Sequence, residues 1–244
     1  MNDRLTAALS NRTFFKAISG LDVFEPGRVL PVARAASHGA DAIDVAADPA
    51  LVAAVRQAAP DLIVFASAVD PDALVASGAD VLELGNYDAM YRSGEQPPSA
   101  DDVLEWTRAV QSATRGAVPV CVTVPLHLEF DRQIDLARLL QAAGANLLQV
   151  EGALGLDGKA SAARRLQDAL KLIGALREIV SLPILVAGGL DDHGATVAIA
   201  AGAHGVGIGQ FLKSAGDEKQ MTARVRQVRI ALAGAGKHAT PIKR

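Results

Sequence analysis

Short apolar runs alternate with longer stretches of helical period along almost the whole chain. The runs are Phe14–Ser19, Ala42–Ala46, Leu62–Ala68, Val81–Leu84, Val118–Val124, Leu147–Val150, Pro183–Ala187 and Gly205–Ile208. They are too short for helices, are bounded by Gly, Pro or Asp, and read as buried strands. Their carboxyl ends are expected at Ser19, Ala46, Ala68, Gly85, Val124, Glu151, Gly188 and Gly209. Between them lie helical patterns over Arg28–His38, Pro49–Ala58 and Asp70–Ala76, with proline at a favoured first-turn position in Pro49. Ser99 with Asp102 resembles a capping box, and Asp191 and Asp192 are suitable N-cap residues. Leu166, Leu170, Ile173 and Leu176 form one amphipathic stripe, and Met221, Val225, Val228 and Leu232 another. Glycine-led steps (Gly39-Ala40-Asp41, Gly78-Ala79-Asp80, Gly144-Ala145-Asn146, Gly202-Ala203-His204) end helices and lead into four of the strands. Eight strands with intervening helices and this internal repeat predict an α/β fold, a single (β/α)8 TIM barrel over residues 1–233. Residues 234–244 carry no pattern and are expected to be a mobile tail.

Polar residues interrupt this pattern where an apolar barrel has no place for them. Lys16, Asp44, Glu83, Gln149 and Glu151 sit inside strands. Facing the helix layer, each would be wrapped in Leu, Val and Ala without a partner. Facing the barrel axis they meet one another, so they are expected to form one cluster in the upper barrel. Lys16, on strand 1 beside strand 2, is expected to reach Asp44, with Glu83 two strands further round. Lys16, Asp44, Glu83, Glu151 and His127 are the candidate catalytic residues. Ser67, Asn86, Thr123 and Gln149, at or near strand ends, are the candidate substrate-binding residues. A buried network that only sets register is the competing explanation, but such networks rarely stabilise better than an apolar core.

The stretch Leu182–Leu212 carries a second signal. Gly188-Gly189 ends strand 7, and strand 8 reads Gly-Val-Gly-Ile-Gly, so one of its faces is bare. Backbone N–H groups of Gly188, Gly189, Gly209 and Gln210 are therefore expected to bind phosphate at the place where TIM barrels hold it, between the ends of strands 7 and 8. Two long connections, 86–100 and 152–161, follow strands 4 and 6 on the face where barrel enzymes keep substrate loops.

Composition narrows the classes. A net charge of −3 with no basic stripe argues against nucleic acid. The single cysteine, Cys121, lies in an apolar strand and fits a reducing compartment. No stretch has a signal-peptide layout or a convincing membrane span, so a cytoplasmic protein is expected. No His/Asp/Glu set has metal-ligand spacing, and Asp191-Asp192-His193 is explained by capping, so no metal is expected.

The motifs KAISGLDVF (Lys16–Phe24), DVAAD (Asp44–Asp48), ASAVDP (Ala66–Pro71), GADVLELGNYD (Gly78–Asp88), VTVP (Val122–Pro125), QVEG (Gln149–Gly152) and the Gly-Gly-Leu and Gly-Ile-Gly pair together resemble the hypothetical chloroplast reading frame 23 family. That family occurs in cyanobacteria and algal plastids, with bacterial relatives. The resemblance, from about Arg12 to the last helix, implies a TIM barrel and no particular reaction. Relatives tend to have Pro-His after strand 5, where this chain has Pro125-Leu126-His127.

On the residues alone, the expected activity is that of an enzyme on a small phosphorylated metabolite, lyase or aldolase-like, or an isomerase or epimerase. The lysine–carboxylate floor would move protons or form an imine. No cofactor is required by the motifs. An FMN oxidoreductase using the same phosphate cup is one alternative, and a non-catalytic sensor of a phosphorylated ligand is the other. The expected partner is a phosphorylated small molecule, with homo-oligomerisation left open.

Overall fold

The structure is a computed structural model, and it describes residues 3–85, 87, 96–151 and 161–236. Eight parallel strands close in the order in which they occur: β1 (Phe14–Gly20), β2 (Ala42–Ala46), β3 (Ile63–Ala68), β4 (Val81–Leu84), β5 (Val120–Val124), β6 (Leu147–Glu151), β7 (Ile184–Ala187) and β8 (Gly205–Ile208), with β8 pairing back onto β1. Helices α2 (Pro26–Ala36), α3 (Pro49–Ala58), α4 (Pro71–Ala76), α5 (Ala100–Thr114), α6 (Phe130–Ala142), α7 (Ala162–Leu176), α8 (Asp192–Ala200) and α10 (Glu218–Gly236) follow the successive strands, with the single-turn α9 (Gln210–Lys213) between β8 and α10. This is the TIM barrel that the alternation predicts. The local reasons are visible at the caps. Asp48, Asp70 and Asp191 each accept a backbone N–H at a helix start, and Ser99 and Asp102 form the reciprocal capping box. Helix α10 runs to Gly236, three residues into the stretch where a tail is expected, and residues 237–244 lie outside the described ones.

Outward-facing strand residues such as Phe15, Val45, Val64, Leu82, Val122, Leu148, Val186 and Val206 bury against the helix layer. A smaller cluster fills the amino-terminal end of the barrel interior: Phe14, Ala42, Ile63, Phe65, Val81, Cys121, Leu147 and Leu185. Two helices are absent from the sequence expectations, the single-turn α9 and α1 (Asp3–Ser10) at the start of the chain. Helix α1 places Leu5 and Leu9 against that interior cluster and closes the floor of the barrel. Leu5 is fully buried, so Leu5→Ala is expected to cost about 2–5 kcal/mol through lost burial plus a cavity. Denaturant unfolding of the two proteins measures this, and an unchanged midpoint would remove α1 from the core.

Candidate active site

Above the apolar floor the inward positions become polar. Lys16 of β1 gives its ammonium to Glu83 of β4 in a buried ion pair, and to the Gln149 side-chain carbonyl of β6 at 2.9 Å. The Gln149 amide donates to Glu83 Oε1 at 2.8 Å and to Thr123 Oγ1 of β5 at 3.3 Å. Three strands are thus tied through one ammonium and a fourth through the Gln149 amide, and Lys16 Nζ lies 4.8 Å from the centroid of the Phe65 ring. Beside this network the Ser67 hydroxyl donates to Asp44 Oδ1. These six polar side chains are at most 4 % exposed. The fold brings Lys16, Asp44, Glu83 and Gln149 of the expected axial cluster together, with two corrections: Glu151 stands half-buried at the end of β6, and the pairing differs. The direct partner of Lys16 is Glu83, on the far side of the barrel, and Asp44 acts on it through space. Inward side chains three strands apart point at each other across the lumen, whereas Asp44 is turned to Ser67 on the adjoining strand.

The charges follow from this geometry. Burial alone would drive Lys16 toward the neutral amine, but the Glu83 and Asp44 carboxylates outweigh it and raise the pKa above the ordinary lysine value. Asp44 moves the other way from a usual carboxylate. Burial and the neighbouring Glu83 raise it to about 7, against the opposing pull of Lys16 and the Ser67 hydroxyl. The interior thus holds a firmly protonated lysine beside a carboxyl group that titrates near neutrality. Cys121 is buried in the same interior, and burial and Glu83 push its thiol well up, so it is an inert wall.

Among the described residues, the remaining sequence-derived candidates occupy the rim. Glu151 ends β6, half-buried, in register with Ala187. His127 lies after β5 with Nε2 3.0 Å from the Pro98 carbonyl, tethering the segment before α5. Asn86 lies outside the described residues, as do most of both long connections. At β7 the glycine pair has the left-handed backbone, φ +95° at Gly188 and +77° at Gly189. Among the described residues, neither glycine gives its backbone N–H to another backbone carbonyl, nor does Gln210 at the start of α9.

The bare face of β8 is approached closely by β1. A Cβ at Gly207 would lie 2.8 Å from Ile18 Cδ1, and one at Gly209 would lie 3.2 Å from the Ile18 carbonyl oxygen. The side chains of β1 fill that face, so these glycines are required by packing against β1.

Two cations at this end of the barrel escaped the sequence reading. Arg165 of α7 lies over Gly189, where any Cβ would run into its guanidinium. Lys213 of α9 donates to the Ser19 carbonyl at 2.9 Å. Ser19 sits where the register between β1 and β2 shifts, a local irregularity of the kind that re-aims groups near functional sites. Neither cation falls on a strand, so no violation of strand pattern exposes it. Only the helix register puts Arg165 over the glycine pair.

A family model described as "Protein of unknown function (DUF561)" matches residues 1–237. The chain belongs to that family. It is 30% identical over 236 residues to "Uncharacterized protein ycf23" of Antithamnion sp., covering 88% of this chain and 83% of the relative. This agrees with the resemblance drawn from the motifs. Among solved structures, a thiamine phosphate pyrophosphorylase from Pyrococcus furiosus superposes with a TM-score of 0.64 at 18% identity, covering 93% of this chain and 98% of the other. A 3-hexulose-6-phosphate synthase superposes with a TM-score of 0.65 at 20% identity, covering 90% and 99%. At such identities the likeness is one of fold.

Among the described residues no helix is long and apolar enough to cross a membrane, and no group of three His, Cys, Asp or Glu side chains is placed to hold a metal ion.

Proposed function

We propose that this protein is an enzyme acting on a small phosphorylated carbonyl compound, of the lyase or aldolase class. The observation that carries the reading is the buried Lys16 ammonium, held by Glu83 and Gln149 next to an Asp44 that titrates near 7. A network kept only for stability has no use for such a pairing, since apolar residues of similar volume serve as well or better. A cation locked in its charged form stabilises a developing enolate or oxyanion. The same locking disfavours the neutral amine that an imine would need. Asp44, near its own pKa at neutral pH, is suited to take and return a proton.

In this reading the phosphate rests at the β7 end on the amides of Gly188 and Gly189, with the Gln210 amide opposite and the Arg165 guanidinium as charged partner. The anchor aligns the carbonyl carbon with Lys16 and supplies binding energy away from the reacting atoms. The fold neighbours include a 3-hexulose-6-phosphate synthase, which supports a phosphorylated substrate.

A panel of three- to six-carbon keto and aldehyde phosphates, each paired with its dephosphorylated form, tests this by thermal shift. At least one phosphorylated member is expected to raise the melting temperature while its dephosphorylated partner does not. Arg165→Gln is expected to weaken that response at least about tenfold, the loss of one charge-assisted contact of roughly 1.5–3 kcal/mol. A response indifferent to the phosphate, or unchanged in Arg165→Gln, would overturn the anchor.

A further inference from the structure

The opposite face of the barrel carries a second concentration of positive charge that the proposed chemistry does not use. Arg12 precedes β1 and Arg177 caps the end of α7, and both turn toward the connection between α8 and β8. The Arg12 guanidinium donates to the Gly202 carbonyl at 3.0 Å, and that of Arg177 to the Ala201 carbonyl at 3.4 Å. Gly202, at φ +109°, leaves room for Arg177, because a Cβ there would collide with the guanidinium. Arg12 is itself in the left-handed region at φ +54°, a costly conformation for a residue with a side chain. His204 completes the group: its Nδ1 accepts the Ile184 backbone N–H at 3.1 Å. Burial, followed by Arg12 and Arg177, lowers its pKa to about 4, so the ring is neutral at physiological pH.

Two guanidinium groups on adjacent carbonyls repel each other, and nothing in the fold of the strands requires them to meet. The Nε–H of Arg177 is buried and makes no hydrogen bond among the described residues. Nor, among those residues, does a carboxylate pair with Arg177. A buried donor on a charged group left in this state is costly, which calls for an acceptor. The acceptor that satisfies a forked pair of guanidinium groups is a tetrahedral or planar oxyanion, taken by parallel N–H···O bonds.

We propose that Arg12 and Arg177, with the Ala201–Gly202 turn and His204, form an anion site for a phosphate or phosphomonoester on the amino-terminal face, separate from the upper-barrel site. Arg177 supplies its Nε–H and one terminal N–H to the anion, Arg12 supplies the second charge, and the neutral His204 ring adds no proton at physiological pH. The site lies where the α1 plug meets β1 and β8, so an occupant would brace the floor of the barrel.

Inorganic phosphate is the probe, titrated at constant ionic strength with chloride as the control, while the arginine Nε–Hε resonances are followed by NMR. The Arg177 resonance is expected to shift saturably with phosphate, with half-saturation below about 10 mM, and to stay put with chloride. It should do so equally in Arg165→Gln, which separates this site from the upper one. Arg177→Gln is expected to lose the phosphate-induced rise in melting temperature that survives in Arg165→Gln. Should Arg177→Gln fold poorly, Arg177→Lys keeps the charge without the fork and is expected to weaken the response at least about tenfold. An Arg177 resonance that does not move, moves without saturating, or moves as far with chloride would overturn the proposal.

Discussion

Lys16→Met is expected to abolish turnover and to lower stability by about 3–5 kcal/mol. The methionine keeps the length of the side chain and removes the charge that Glu83 and the Gln149 carbonyl both address. Glu83 is then left buried at 2 % exposure, with the Gln149 amide as its remaining donor in the network, and such a lone carboxylate carries the cost. The double variant Lys16→Met/Glu83→Gln separates the two effects. It leaves no uncompensated charge in that pair, so most of the lost stability should return, while activity should not. Denaturant midpoints and assay with whichever carbonyl phosphate the thermal panel identifies are the readouts. A stable, fully active Lys16→Met protein would sink both the catalytic and the structural role of this residue.

Asp44→Asn is expected to remove most of the turnover together with the pH limb near 7. The sign follows from the shift. Asp44 has an ordinary value of 3.8 and is raised to about 7 by burial and by Glu83, so the folded protein holds this proton more tightly than the unfolded chain does. The resulting stabilisation is fully present below about pH 4 and is lost as pH rises through about 7. Wild type should therefore lose stability relative to Asp44→Asn across that window, and the difference between the two curves should flatten above it. The pH profile of kcat/KM reports the free enzyme, so its limb near 7 should be missing from whatever activity Asp44→Asn retains. Parallel stability curves for the two proteins from pH 4 to 8 would mean that Asp44 does not titrate there.

What is legible in the sequence depends on the physical constraint behind each feature. The eight strands were legible because every one is an apolar run cut off by Gly, Pro or Asp, and their observed ends differ by a residue or so. Strand β5, for instance, begins at Val120 rather than Val118, because Pro119 lacks the N–H of a ladder residue. The polar floor was legible because Lys16, Asp44, Glu83 and Gln149 break a rule that buried strands otherwise keep. Their pairing was not. Whether Lys16 meets Asp44 or Glu83 depends on stagger and side-chain direction across the lumen, which strand-by-strand alternation does not encode. Glycine on β8 is legible as a strand something approaches closely, but that the approaching groups are Ile18 and, at Gly207, the Lys16 stem is a tertiary fact. Helix α1 is illegible because only two large apolar residues, Leu5 and Leu9, mark it, too few to show a period. Arg165 and Lys213 lie on helices where an arginine or lysine is unremarkable, and only the tertiary arrangement gives them a role.

In the proposed reaction a phosphorylated carbonyl compound is anchored at the β7 end with its oxygen directed at the Lys16 ammonium. A crystal structure of the protein grown with dihydroxyacetone phosphate, the smallest ketose phosphate, tests this most directly. The expected result is a phosphate on the amides of Gly188, Gly189 and Gln210 beside Arg165, with the carbonyl oxygen within hydrogen-bond distance of Lys16 Nζ. A well-ordered β7 end at saturating ligand with nothing on those amides, whether or not the Arg12–Arg177 face is occupied, would contradict it.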